Sequence, residues 1–288
     1  MIKNYTIGMI QLNTQDDVEK NLRGVSAYIT EAAQKGARLV TLPEAMNFIG
    51  DRTLPGMPPP EDEDGPTFKL LSGLAKEHGI YIHGGSWVIK KDNDKRSYNT
   101  SFLFSPQGIP LAKYHKLHTF DITLPDGTVA RESDRIAAGD QIVTAETELG
   151  VLGFSICYDL RFPELFRLLA LRGAQVIFLP ANFTTPTGKD HWEPLIRARA
   201  IENSCYVVAA AQWGKNPRGV PYGNSLVADP WGSVIARAKE KAGVTLAEID
   251  LEYLEEVQRK MQTLQNRRTD VYRLEEKSEK KPEEKSWN

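Results

Sequence analysis

VLGFSICYDLRFPEL (151–165) is the stretch on which the reading of this chain turns. It opens as an apolar run and breaks at Tyr158-Asp159 into polar residues and Pro163. A run of that length, bounded in that way, predicts a buried strand ending in a loop, with a helix starting near Phe162 or Pro163. Cys157 then stands at the carboxyl end of a strand, where α/β sheets hold their ligands. The same thiol also reads as a small buried hydrophobe, the commoner fate of a free cysteine. Taken alone, the segment favours that second reading.

The same alternation runs outward to both ends. Upstream, YTIGMIQL (5–12) predicts a strand, 16–35 an amphipathic helix, and ARLVTL (37–42) a strand stopped by Pro43. TFKLLSGLAKEHG (67–79) predicts a helix with Gly79 as its C-cap. IYIHGGSWVI (80–89) and SYNTSFLFS (97–105) predict a strand hairpin, followed by a strand over 109–116. Downstream come a helix over 162–173, a strand over 174–180 and a helix over 189–204. Short strands at 205–212, 224–230, 234–238 and 244–250 lead to a closing helix over 251–261. Helices follow the first two strands of each half. That order predicts an α/β protein of two mixed sheets stacked face to face, each covered on one side by helices. No linker rich in Gly, Ser or Pro divides the chain, so 1–272 is expected to form one domain. Residues 273–288, charged and without apolar periodicity, are expected to be an extended tail, ordered where they meet another subunit.

Composition narrows the function classes. Hydrophobic residues at 41% and charged residues at 26% fit a globular enzyme. A formal net charge of −2 leaves no electrostatic footprint for nucleic acid or an anionic membrane. Cys157 and Cys205 make no disulfide framework and point to a reducing cytoplasm. No apolar stretch approaches a membrane span or a secretory signal. A cytoplasmic protein acting on a small molecule is expected.

Two further strand ends carry charge. Glu44 follows Pro43, and a carboxylate held there is partly desolvated, which should raise its pKa towards that of a general base. A solvated loop acid is the alternative. Alternation over 109–116 puts Lys116 on the face opposite Lys113 and His115, so one lysine enters a site while the others face water. A basic hairpin surface is the alternative here. His115 and His118 lack the companion ligands of a metal site, and no metal is expected. Spacing leaves a Cys–His pair open, although no papain-type signature surrounds Cys157. Cys205 opens the apolar CYVVAAAQ (205–212) and reads as core.

Three separated segments, TLPEAMNF (41–48), YHKLHTFD (114–121) and ICYDLRFPEL (156–165), together resemble the nitrilase-like carbon–nitrogen hydrolase superfamily. The likeness runs from GMIQLN near the start to NRRTDVYRL near the end. It implies a four-layer α-β-β-α sandwich, a Glu–Lys–Cys set on Glu44, Lys116 and Cys157, and a second glutamate at Glu132. NFTTPTGKDHW (182–192) and YGNSLVADPWG (222–232) resemble the amidase branch acting on ω-amides of deaminated amino acids and on deaminated glutathione. His115 departs from the arginine usual beside the lysine. The resemblance also implies a homodimer or higher homo-oligomer, with C-terminal tails exchanged between subunits.

The implied reaction is hydrolysis of a small carboxylate-bearing linear amide through a thioester on Cys157, releasing ammonia, with no cofactor. Lys116 is expected to favour the thiolate and, with the backbone N–H of Tyr158, to hold the oxyanion. Arg161 is expected to clamp the substrate carboxylate, an ion pair with Asp159 or Glu164 being the alternative. Phe48, Asn182, Phe183 and Thr184, just beyond strand ends, are expected to line the pocket. Arg197, Arg199 and Glu202 share a helix and are expected to make structural ion pairs. An N-carbamoyl amino acid hydrolase and a non-catalytic binding protein on the same fold are the competing readings.

Overall fold

In the computed structural model, which describes residues 2–54, 57–123, 127 and 129–277, strand β1 (Asn4–Gln11) shows why the chain folds in layers. Its Ile7 and Met9 enter one apolar core, while Ile10 enters another. Gly8 lies under helix α1 (Val18–Gln34), where a Cβ would come within 2.9 Å of the Ala32 methyl. Strands β2 (Leu39–Thr41) and β3 (Tyr81–His83) run parallel to β1 and divide their side chains the same way. Leu39 and Tyr81 join the first core, Val40 and Ile82 the second. Strands apolar on both faces must be covered on both. Helices α1 and α2 (Pro66–His78) cover one face, and a second sheet covers the other.

The first sheet is completed by β4 (Trp87–Lys90), β5 (Ser97–Phe104) and β6 (Pro110–His115). A small hairpin, β7 (Asp121–Thr123) with β8 (Val129–Arg131), stands apart from both sheets. The second sheet holds β9 (Thr144–Thr147), β10 (Gly150–Phe154), β11 (Val176–Phe178), β12 (Tyr206–Ala209), β13 (Leu226–Ala228) and β14 (Val234–Arg237), in the order β14-β13-β12-β11-β10-β9. Its parallel centre, β10-β11-β12, matches the parallel β1-β2-β3 of the first sheet, which β15 (Gly243–Asp250) closes antiparallel to β1. Across the sandwich the buried His83 ring stacks on Phe178 with centroids 4.2 Å apart. Burial pushes the His83 pKa down to about 3, and Thr41 and Ser101 hydroxyls lie 2.8 Å from its two ring nitrogens. Outside the second sheet lie α3 (Pro163–Leu171) and a single-turn α4 (Thr185–Thr187) leading through a wide turn into α5 (Glu193–Asn203). The result is the α-β-β-α sandwich, with α6 (Leu251–Met261) after the last strand.

Three expectations change. The strand over 80–89 is broken at Gly84–Ser86, because Gly85 takes φ +61° where a Cβ would lie 2.2 Å from the Pro43 carbonyl. The helix over 189–204 begins as a π turn, Gly188–Trp192, and becomes α-helical only at Glu193. The β7–β8 hairpin and β9 carry no apolar alternation long enough to predict them. Of the charged tail, Glu276 accepts a hydrogen bond from Arg172 of the same chain at 3.0 Å, and 278–288 lie outside the described residues. Among the described residues no helix is long and apolar enough to cross a membrane.

Candidate active site

The parallel strands of both sheets point their carboxyl ends to one side, and the turns beyond them build the site. After β2, the chain turns at Pro43-Glu44-Ala45, with Ala45 at φ +56°. The Gly84–Ser86 break braces this turn: Ser86 N donates to the Pro43 carbonyl at 3.2 Å, and Met46 N donates to the Ser86 carbonyl at 3.0 Å. Gln212 holds the Glu44 carbonyl at 2.9 Å. The Glu44 carboxylate is thereby fixed in a buried position, accepting from Asn99 Nδ2 (2.9 Å), Lys116 Nζ (3.1 Å) and Asn182 N (2.8 Å).

Lys116 follows β6 and is almost wholly buried between two carboxylates, 3.1 Å from Glu44 and 2.8 Å from Glu132. Glu132 opens a short 3₁₀ turn and also accepts from Phe120 N. Burial works against the ammonium, but Glu44 and Glu132 outweigh it and hold the Lys116 pKa well above its ordinary value.

Beyond β10 the chain does not enter a loop directly. Residues Cys157–Arg161 form a 3₁₀ turn, with Cys157 itself at φ +50°, an uncommon conformation for a side-chain-bearing residue. Asp159, fully buried, makes the turn possible. It accepts from Ile156 N at 2.7 Å within the turn, and from Tyr114 Oη at 2.6 Å and His118 N at 3.1 Å outside it. One carboxylate therefore ties the thiol-bearing turn to both flanks of Lys116. Arg199 fixes the far end through two hydrogen bonds to the Leu160 carbonyl, at 3.0 and 2.8 Å. The Tyr158 N–H, at the start of the turn, makes no backbone hydrogen bond among the described residues, as expected of a first-turn donor.

The electrostatics overturn two expectations. Burial does push the Glu44 carboxyl up, but Lys116, the Cys157 thiol and the Asn182 N–H together hold it below its ordinary 4.5. The thiol moves the other way: burial and the facing Glu44 raise it well above its ordinary value, and Lys116 offsets them only in part. The resting site is a carboxylate, an ammonium and a protonated thiol. Burial of the sulfur explains why the neighbouring cation fails to ionise it.

All the residues expected at the pocket line one cavity of about 540 Å³. Phe48, Tyr158, Phe183 and Thr184 form walls, Glu132 shares its floor with the catalytic candidates, and Asn182 acts through its backbone. Arg161 makes no ion pair with Asp159 or Glu164 among the described residues. Its guanidinium lies 5.8 Å from the Tyr158 ring centre and 5.3 Å from that of Phe183. Arg199 pairs with Glu202 at 3.0 Å, and Arg197 donates to the Gly232 carbonyl at 2.7 Å, so that group is structural. His115 points away from the cavity, stacked on Tyr98 with centroids 4.0 Å apart. Its ring is held neutral by burial, with a pKa pushed down to about 3. His118 bonds Asp159 and stacks on Phe162, and among the described residues no histidine lines the cavity. No cluster of three metal-ligating side chains occurs among the described residues.

Sequence reasoning missed Asn99, Asp159 and Gln212, which hold the site together, and Arg52, Arg135 and Arg218, which line the cavity. Asp159 alone had a signal, two residues beyond Cys157. The others come from loops and strands distant in sequence.

Sandwich and cavity define the nitrilase-like class. Residues 6–259 match the carbon-nitrogen hydrolase family, and the chain belongs to it. It is 40% identical to a deaminated glutathione amidase of Synechocystis sp. over 270 residues, covering 92% of this chain and 99% of that protein. It is 38% identical to an omega-amidase of Xenopus tropicalis over 275 residues, covering 95% and 98%. Among solved structures, the Caenorhabditis elegans NitFhit protein superposes with a TM-score of 0.86 at 37% identity, over 97% of this chain and 69% of that one.

Proposed function

We propose that the cavity hydrolyses small carboxylate-bearing linear amides through a thioester on Cys157. The observation that carries this reading is the convergence of the Cys157 thiol, Glu44 and Lys116 in one cavity. Glu44, ionised at rest, takes the thiol proton as sulfur attacks the amide carbon. The oxyanion rests against Lys116 and the Tyr158 N–H; loss of one such donor costs about 3–4 kcal/mol of barrier. The carbon–nitrogen bond breaks as Glu44 returns the proton to nitrogen, leaving the thioester. Glu44 then takes a proton from water, with Glu132 helping to orient it, and the hydroxide releases the acid. Sulfur departs and regains its proton from Glu44.

Arg161, which has no carboxylate partner among the described residues and lines the cavity, suits the carboxylate of the acyl group. The relatives named as deaminated glutathione amidase and omega-amidase support the same substrate class. Ammonia leaves from an ω-amide, and an amine leaves from a peptide-like amide. A mechanism needing a free thiol suits a reducing, cytoplasmic setting. Exposed Ile201, Trp231 and Ile235 offer apolar area for a second copy of the chain, and the 273–288 tail is proposed to lie at that interface.

Acid quenching during turnover, followed by peptide mass spectrometry, tests the reading. The Cys157 peptide should gain the acyl mass; a peptide that stays unmodified while amide is consumed contradicts the mechanism. Carbon dioxide among the products would instead indicate a carbamoyl substrate.

A further inference from the structure

We propose that Arg52, Arg135 and Arg218 form a second anion subsite in the cavity, which holds a carboxylate on the leaving-group side of the scissile amide. The inference rests on the amidase reading and deepens it: the preferred substrate carries a carboxylate at each end.

The three side chains come from separate places: the turn after Phe48, the end of the 3₁₀ turn begun by Glu132, and the loop between β12 and β13. All three line the cavity, and none has a carboxylate within ion-pair distance among the described residues. Among the described residues, the hydrogen-bond partners of Arg52 and Arg218 are backbone carbonyls. Arg52 donates to the Pro58 and Pro59 carbonyls at 2.6 and 2.9 Å and lies 4.5 Å from the centre of the Phe48 ring. Arg218 donates to the Gly50 carbonyl at 2.8 Å. An exposed acid, Asp51, feels Arg135 and Arg218 but gives its oxygen to Thr53, at 2.9 Å from the nitrogen and 2.7 Å from the hydroxyl.

Such an arrangement is costly when empty. Burial, opposed by Glu61 and assisted by Arg218, pushes the Arg52 pKa down to about 10. Burial and Arg135 lower that of Arg218, against the opposing pull of Asp51, Glu132 and Glu44. Like charges gathered on one cavity wall with no directly paired carboxylate repel one another, although Arg135 and Arg218 stay largely exposed to water. An entering carboxylate relieves that repulsion, and guanidinium groups bind it bidentately. Aromatic stacking of Arg52 keeps that fork oriented. Arg161 then serves the acyl end and the three arginines the departing end.

Two amides with the same 2-oxoglutaryl acyl group provide the test. α-Ketoglutaramate releases ammonia, whereas deaminated glutathione releases a dipeptide that ends in a carboxylate. Arg218→Leu should lower kcat/KM for deaminated glutathione by about ten-fold or more, mainly through KM, and that for α-ketoglutaramate by no more than about three-fold. Arg218→Lys should recover part of the loss. Equal losses on both amides would overturn the subsite and leave Arg218 a tuner of Glu44 and Glu132, whose fields it shares. No loss on either overturns it as well. Calorimetry of deaminated glutathione binding to Cys157→Ala, with and without Arg218→Leu, gives the same test without turnover. Binding weakened about ten-fold or more by Arg218→Leu supports the subsite, and binding unchanged by Arg218→Leu, or absent already in Cys157→Ala alone, overturns it. If neither amide is hydrolysed while that difference in binding persists, the amidase reading fails and the subsite stands.

Discussion

Cys157 and Cys205 are both free, both buried, and both pushed up in pKa chiefly by that burial, Cys205 to about 12. Neither is a thiolate at rest. Their surroundings differ in kind. Cys205 sits in the core beneath α5, its sulfur 4.0 Å from the Arg199 carbonyl. Cys157 stands on a strained turn, faces an ionised Glu44 and an ammonium, and opens onto a cavity. Reactivity in this fold therefore comes from groups that act when the proton moves, and a depressed thiol pKa is not its source.

Substitution breaks the comparison most sharply. Cys157→Ala should reduce amide turnover by about 10⁴-fold or more, while Cys205→Ala should leave turnover per folded molecule within about two-fold. Ammonia or amine release, normalised to folded protein, measures both. Comparable losses would mean that placement on the turn carries no catalytic weight.

Glu44→Gln comes next, with a loss of roughly 10²–10⁴-fold, since the general base disappears while hydrogen-bonding shape is kept. The pH profile sharpens the point. Glu44 is held below 4.5, so its ionised form persists into acid, and the stability it contributes is present above 4.5 and lost only as pH falls through the lowered value. The thiol and Lys116 are both raised, so neither titrates near neutrality. A kcat/KM profile level from about pH 6 to 8 is expected. A climb through pH 8–9 would instead mark a thiol that must ionise before attack.

These expectations depend on features the sequence displayed unevenly. The layers were legible because β1, β2 and the 151–156 run are apolar enough to need cover on both faces, and because helices follow them in the right places. Glu44, Lys116 and Cys157 were legible as strand-end groups in three quoted segments. Their pKa directions were not. Desolvation could be inferred from position, but the Lys116 ammonium between Glu44 and Glu132 is a product of tertiary contact. In the sequence Asp159 offers itself only as a partner for Arg161, because nothing local shows that Tyr114 and His118 reach it. The Gly84–Ser86 break was hidden in an apolar run, since backbone approach to Pro43 leaves no pattern in hydropathy.

The smallest predicted effect turns the comparison from activity to stability. Cys205→Ser puts a hydroxyl into the core, where the Arg199 carbonyl offers one acceptor, Arg167 and Glu202 act only through their fields, and burial strips the rest of its hydration. A cost of about 1–2 kcal/mol follows, read from the midpoint of chemical denaturation with an unchanged slope. Cys157→Ser should cost less, because the Glu44 carboxylate stands ready to accept from its hydroxyl, although turnover collapses. The two serine variants should thus rank in opposite order for stability and for activity. Matching ranks would show that Cys157 serves the fold as Cys205 does, and that its strained turn exists for some reason other than presenting a nucleophile.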